Sequence, residues 1–437
     1  MTLSAIDGGR AVVFPVMTVS LPGSTVRVSS AALSSATGGH FSPKVLSWGS
    51  IDYTISDRAG RLNAVETRVT VADTDRSIAR IVSGASADSV RGSVASIQLA
   101  TPSVASSSWL NLLVGVVARI SFPRPFEAEF TIRTNDDQLK RKSPRGGWAL
   151  TRVQWPNAKA EVFDKFAPLV YGYHDSSGFQ TTPGLVPTLY VDTTQFRYLV
   201  CAGRAKTLTR VFKDGTQITS GGSTDYGGAF EYITRNGRIY TCLKFTTDQG
   251  SAVFTIDCLG YESVGDGSGS VMTNPATIWA HRLTNFCLGD YMTGSWLSTN
   301  ALIDSNSLTD AIAYFNSLGT GAHASVYSDE PVTGSDITAE YCDSFRLRSF
   351  WTKSGTLAAN YENIFAAPYS GTRLRHYREE TGPLAIVEDD FNMVSRILIR
   401  SAYSASQTKF LNTLEVVDAS ATNDNQETLD LNWSEAK

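Results

Sequence analysis

A chain of 437 residues is long enough for roughly two to four domains with substantial cores. Charged residues make up 18% and aromatics 10%, beside abundant Ser, Thr and Gly, the profile of a β-rich protein whose surface is uncharged and polar and largely covered by partners. Thirty-eight basic against 42 acidic residues leave a formal charge of -4, so nothing in the overall balance argues for binding nucleic acid or an anionic membrane.

From the N-terminus, Met1–Asp7 offers no basic segment followed by an apolar run, so no signal peptide is read there and a cytoplasmic origin is expected. Arg10–Val19 and Arg61–Val71 read as strands; Val65, Thr67, Val69 and Val71 alternate with Glu66, Arg68 and Thr70. Gly/Ser clusters at 34–39 and 83–93 read as loops. Trp109–Ile120 and Phe126–Ile132 predict a longer strand pair joined through Pro123 and Pro125. The first of these is the longest apolar stretch, too short to span a bilayer and broken by Asn111, Gly115 and Arg119.

Lys140, Arg141, Lys142 and Arg145 form the one concentrated charge cluster. A solvated loop, a contact with acidic loops of a neighbouring subunit and a contact with DNA phosphates all fit it, and these four residues are the candidates for a subunit interface. Four charges in one loop cannot hold a duplex at physiological salt unaided. Residues 161–262 then carry short antiparallel strands, with Asp214-Gly215 and Asn236-Gly237 as tight hairpin turns. Asp266–Ser270 reads as a flexible link.

The most informative stretch follows. Asn274 is placed as a helix cap before Pro275 at the first helical position, and Trp279, Leu283, Phe286 and Cys287 share one face. A second helix is expected from Ser307, capping with Asp310 and carrying Leu308, Ile312 and Phe315, and stopping at Gly319. A third runs from Asp336 with Ile337, Tyr341 and Phe345 on one side. Phe350–Leu357 turns through Ser354-Gly355 as a hairpin. Trp279, Leu283, Ile312, Phe315, Ile337, Tyr341, Phe345 and Trp351 are expected to make one core. Further strands are read at Arg396–Tyr403 and over Leu429, Leu431 and Trp433.

Catalytic and metal-binding patterns fail their own tests. His40, His174, His281, His323 and His376 are scattered, with no i, i+4 pair and no neighbouring Cys pair, so no zinc site is read; His281 is expected on the helix surface. Cys201, Cys242, Cys258, Cys287 and Cys342 are odd in number and not closely paired, which predicts buried reduced thiols instead of a disulfide framework or metal knuckle. Gly319–Ala324 follows a helix where a nucleotide loop follows a strand, and no Gly-x-Ser-x-Gly elbow occurs. The acid pairs Asp73/Asp75, Glu379/Glu380 and Asp389/Asp390 are expected in solvated turns, and Asp73-Thr74-Asp75 lacks the Gly and distal Glu of a calcium loop. No catalytic, metal or cofactor residues are assigned, and no enzyme activity is expected.

The order Asn274-Pro275-Ala276, Asp336-Ile337, Cys342-Asp343 and Trp351-Thr352-Lys353-Ser354-Gly355-Thr356-Leu357, continued at Phe391–Arg400, resembles the tail-hub or baseplate-hub proteins of long-tailed bacteriophages, including the lambda-type central tip protein. In that family an Asn-Pro-Ala helix, a second helix and a third lead into a Trp-x-x-x-Gly-x-Leu hairpin. The likeness covers about the last 165 residues well and the first 270 in outline.

The resemblance implies a β-rich α+β fold of several β-barrel domains with one small three-helix plus hairpin domain. Residues 1–160 would be a tube-docking barrel, 161–265 an inserted barrel, 266–365 the α+β hub domain and 366–437 a second docking segment. It further implies a homotrimer in the virion, assembled in the bacterial cytoplasm. Expected partners are the tail tube or distal ring, the tape-measure protein and tip or fibre proteins, with transient passage of viral DNA and no membrane segment. The rivals are a hexameric distal tail ring protein, which lacks the three-helix region, and a carbohydrate-binding adhesin or glycan hydrolase, which needs an aromatic-lined groove with convergent carboxylates.

Overall fold

The computed structural model describes residues 13–35, 39–51, 65–85, 90–101, 105–134, 139–140, 142–143, 148–175, 184–264, 267–288, 302–319, 323–345 and 347–361, and the backbone of strands between 396 and 434. The fold is β-rich α+β, as expected.

The N-terminal region is a nine-stranded sheet in the order 33–35, 39–43, 24–29, 14–21, 94–100, 110–121, 127–133, 66–72 and 45–48. Its pairings are antiparallel except that of Ser24–Ser29 with Gly39–Pro43. Alternation sets the buried face: Thr67, Val69 and Val71 point in while Glu66 and Arg68 point out, as the pattern predicts. Val69, Val71, Ile97, Leu113, Val117, Phe130 and Ile132 build the core on that face. Ile78 joins them from the helix Ser77–Gly84, whose tail lies in a stretch read as loop. What starts this helix is Asp73, five residues before Ile78. Its two carboxylate oxygens accept from the Ile78 and Ala79 N–H groups, each at 2.9 Å. Asp73 is therefore buried, 1% exposed, and is a correction to its expected place in a solvated turn.

Residues 173–261 form two sheets over a shared core of Tyr198, Val211, Phe245, Phe254 and Ile256, while Leu169–Tyr171 pairs with Ser325–Ser328. Both predicted tight turns are present. Asp214-Gly215 (φ 50 and 81) and Asn236-Gly237 (φ 50 and 73) have the paired positive φ angles of a hairpin turn whose twist matches its strands. The segment after this unit is tied down where a flexible link was expected. The Glu262 carboxylate accepts from the Gly267 N–H and, at 2.8 Å, from the Gly269 N–H, and Lys206 Nζ donates to the Gly267 carbonyl at 2.8 Å; residues 265–266 lie outside the described part.

Asn274 caps the helix Pro275–His281 as predicted, its side-chain oxygen accepting from the Ala276 and Thr277 N–H groups. The chain then winds more loosely as a π-helical segment, Arg282–Leu288. The next helix, Ser305–Ser317, is capped by Asp304, whose Oδ1 accepts from Ser307 N–H at 2.8 Å; Ser307 sits inside the first turn and is not the cap. The third helix, Gly334–Phe345, begins two residues before Asp336. Strands Leu347–Trp351 and Leu357–Tyr361 close the hairpin with Trp351 opposite Leu357.

Trp279, Leu283, Phe315, Ile337, Tyr341 and Trp351 are buried in one cluster, with Ile312 and Phe345 packed against it. That core also takes in Trp148, Trp155, Tyr240 and Tyr261 from earlier in the chain. All five cysteines are buried and none is in a disulfide. The backbone strands Arg396–Ser404, Lys409–Val417 and Gln426–Asp430 form a three-stranded sheet, and Trp433–Ser434 pairs with Ser325–Ser328. The predicted strand over residues 429–433 is thus split between two sheets.

Candidate functional site

The stem of the basic loop is fixed to the start of the third helix. Lys142 and Ser143 pair antiparallel with Thr333 and Val332, and the Ser335 N–H donates to the Leu139 carbonyl at 2.9 Å. Lys140 is exposed, while Arg141, Arg145 and the side chain of Lys142 lie outside the described residues.

The paired strand Val332–Thr333 is itself flanked by acids. Asp329 and Glu330 precede it, Asp336 and Glu340 follow it, and all four line a cavity of about 540 Å³ together with Arg282. Acidic partners for the basic loop were expected on a neighbouring subunit; the same chain places acids beside the loop's stem.

Arg282 comes from the π-helical segment, with its side chain 2% exposed and Nη1 3.6 Å from Glu340 Oε2, itself 26% exposed. Burial works against the charge on Arg282, but Glu340, Tyr341 and Tyr171 hold its pKa above the ordinary value. Burial pushes the Glu340 carboxyl up to about 7; Arg282 pulls it down and Asp336 adds to the rise. Sequence reasoning missed the pair, because 58 positions separate its members and neither lies in a motif.

His281 is a correction. It is 3% exposed instead of surface-facing, and its Nδ1 lies 2.8 Å from Tyr171 Oη across the seam between the capped helix and the strand Leu169–Tyr171. Burial lowers its pKa to about 3. His174 is also buried, with Nε2 2.9 Å from the Tyr171 carbonyl, and burial lowers it to about 4. His376, Glu379, Glu380, Asp389 and Asp390 lie outside the described residues. Among the described residues no group of three or more His, Cys, Asp or Glu side chains is placed to hold a metal ion, and no helix is long and apolar enough to cross a membrane.

No protein-family model and no curated protein matches the chain. Among solved structures, it is similar to a chain in one described as "Virion of native gene transfer agent (GTA) particle", at 12% identity and a TM-score of 0.25, over 59% of this chain and 84% of that one. A likeness at that score carries no argument about fold or function.

Proposed function

We propose that the chain is a structural protein of a phage-type virion, the hub at the distal end of the tail tube. In this role it closes the tube, anchors the tape-measure protein and tip or fibre proteins, opens for DNA, and performs no catalysis. Three copies form a closed ring, in which one patch on each chain meets a second patch on the next. The gene-transfer-agent virion is an object of this general kind, but the reading does not rest on it.

The observation that carries the reading is the arrangement of residues 274–361. The Asn274-capped helix, two further helices and the Trp351–Leu357 hairpin share one core in the order that the family resemblance implies. Gly355 adds a second support. It adopts φ 76 at the hairpin tip, and a Cβ there would lie 2.8 Å from the Val114 carbonyl oxygen, so the tip packs directly on the nine-stranded sheet. That sheet region also exposes Leu46, Val94, Leu110, Phe122 and Phe126, between 42% and 57% each, in keeping with surface covered on assembly.

Within this proposal Lys140, Arg141, Lys142 and Arg145 contact the neighbouring subunit. The test is particle assembly. Gold-labelled antibody should mark the wild-type chain at the distal tail end. A chain with Lys140→Glu, Arg141→Glu and Lys142→Glu should stay out of particles while its monomer melts as the wild type does. Label along the whole tube would overturn the hub reading, and reversed chains incorporated at wild-type yield would mean that the loop is only solvated.

A further inference from the structure

A second cavity, of about 530 Å³, opens on the two-sheet unit where the 219–230 segment lies against the turn after Leu189–Asp192 and the end of Arg238–Lys244. Phe196, Tyr226 and Phe230 line it and are each half-buried, so their rings are only partly committed to the core; Gln195, Asp225 and Lys244 bring polar groups to the same space.

Its walls are built in advance of any ligand. Asp225 Oδ1 accepts from Ser220 Oγ at 2.6 Å and from the Gly227 N–H at 2.9 Å, and the Asp225 carbonyl accepts from Thr246 N–H at 2.9 Å. Gln249 Nε2 and Thr247 Oγ1 both donate to the Ser223 carbonyl, at 2.6 and 2.9 Å. A loop held by this many bonds loses little further freedom on binding.

Phe196 supplies an independent pointer. Its φ is 53, a left-handed conformation that is strained for a bulky residue and that Gly or Asn takes more easily. The tight turns at Asp214 and Asn236 use such tolerant residues, whereas this turn keeps an aromatic ring at the cavity wall.

The lining also selects the kind of ligand. Glu231 is held by Arg197 at 2.6 Å and lies 3.7 Å from Lys244, so the charged groups around the cavity are of both signs and nearly balanced. An anion would meet Asp225 and Glu231, and a cation would meet Lys244. A neutral ring with an apolar C–H face and a rim of hydroxyls satisfies both the aromatic walls and the mixed donors and acceptors.

We propose that this cavity binds a neutral pyranose sugar of a surface glycan. The proposal goes beyond the hub role and is independent of it, because particle assembly tests one and isolated-chain binding tests the other. The experiment applies the full chain to an array of bacterial and host oligosaccharides, titrates what is retained by calorimetry, and repeats this with Phe230→Ala and Lys244→Ala. The expected result is retention of hexose-containing oligosaccharides, weakened about tenfold by Phe230→Ala and measurably by Lys244→Ala. Val153→Ser, at an exposed position away from the cavity, should bind as wild type. Lys244 is exposed, so its variant guards against a folding defect in the other. No retained glycan, or binding by both cavity variants at wild-type strength, would overturn the proposal.

Discussion

At the scale of single residues, burial moves Glu340 and the two enclosed histidines in opposite directions. Glu340 rises from an ordinary 4.5 to about 7, so between those values the folded chain keeps a proton that the unfolded chain has released. Its contribution to stability is present at low pH and is lost as pH climbs through 7. His174 and His281 fall from 6.5 to about 4 and about 3. Below 6.5 the unfolded chain takes protons that the folded chain refuses, and their contribution is lost as pH drops. From about pH 5 to 6 the Glu340→Gln variant should therefore gain stability with pH more steeply than wild type, by roughly 1 kcal/mol per pH unit. Urea unfolding of both proteins at several pH values measures this. Parallel stability curves would mean that Glu340 is ionised in the fold like any surface carboxylate.

At the scale of elements, Asn274 does more than cap its own helix. Its Nδ2 donates to the Ile312 carbonyl at 3.0 Å and to Asn316 Oδ1 at 2.9 Å, so one side chain starts one helix and fastens the next. Asn274→Ala should cost about 2 kcal/mol, more than an isolated cap, and Asn274→Ser should recover only the capping part. Trp351→Ala should cost roughly 3–5 kcal/mol, because Trp351 is 4% exposed and closes the hairpin against the helices. Thermal unfolding reads both, and a Trp351→Ala protein as stable as wild type would mean that the ring is not part of this core. Elements signalled by local chemistry were legible in the sequence: the Asn274-Pro275 start, the Asp214-Gly215 and Asn236-Gly237 turns, and the alternation of Val65–Val71. The helix Ser77–Gly84 was not, because its N-terminal acceptor, Asp73, stands four residues before it and its end merges with a Ser/Gly stretch. Asp304 was missed for a related reason: Ser307 and Asp310 satisfied a local pattern that the fold does not use.

Across the whole molecule, what sequence could not supply is the set of long-range meetings. The Tyr171–His281 bond, the Arg282–Glu340 pair and the approach of Gly355 to Val114 each join positions whose separation leaves no local trace. The same is true of both cavities, whose walls come from segments far apart in the chain. The second cavity has aromatic walls, but its carboxylates, Asp225 and Glu231, are held by their neighbours and do not converge on it as the adhesin reading requires; it lies on the two-sheet unit, while Trp351 and its helices are occupied as core. A structural hub and a sugar-binding surface are thus compatible in one chain. Native mass spectrometry of the ring recovered from assembled particles distinguishes the proposed closed trimeric hub from other assemblies. Three chains of 47.3 kDa predict a ring of about 142 kDa; a ring of six copies would contradict the hub and point to the distal tail ring protein instead.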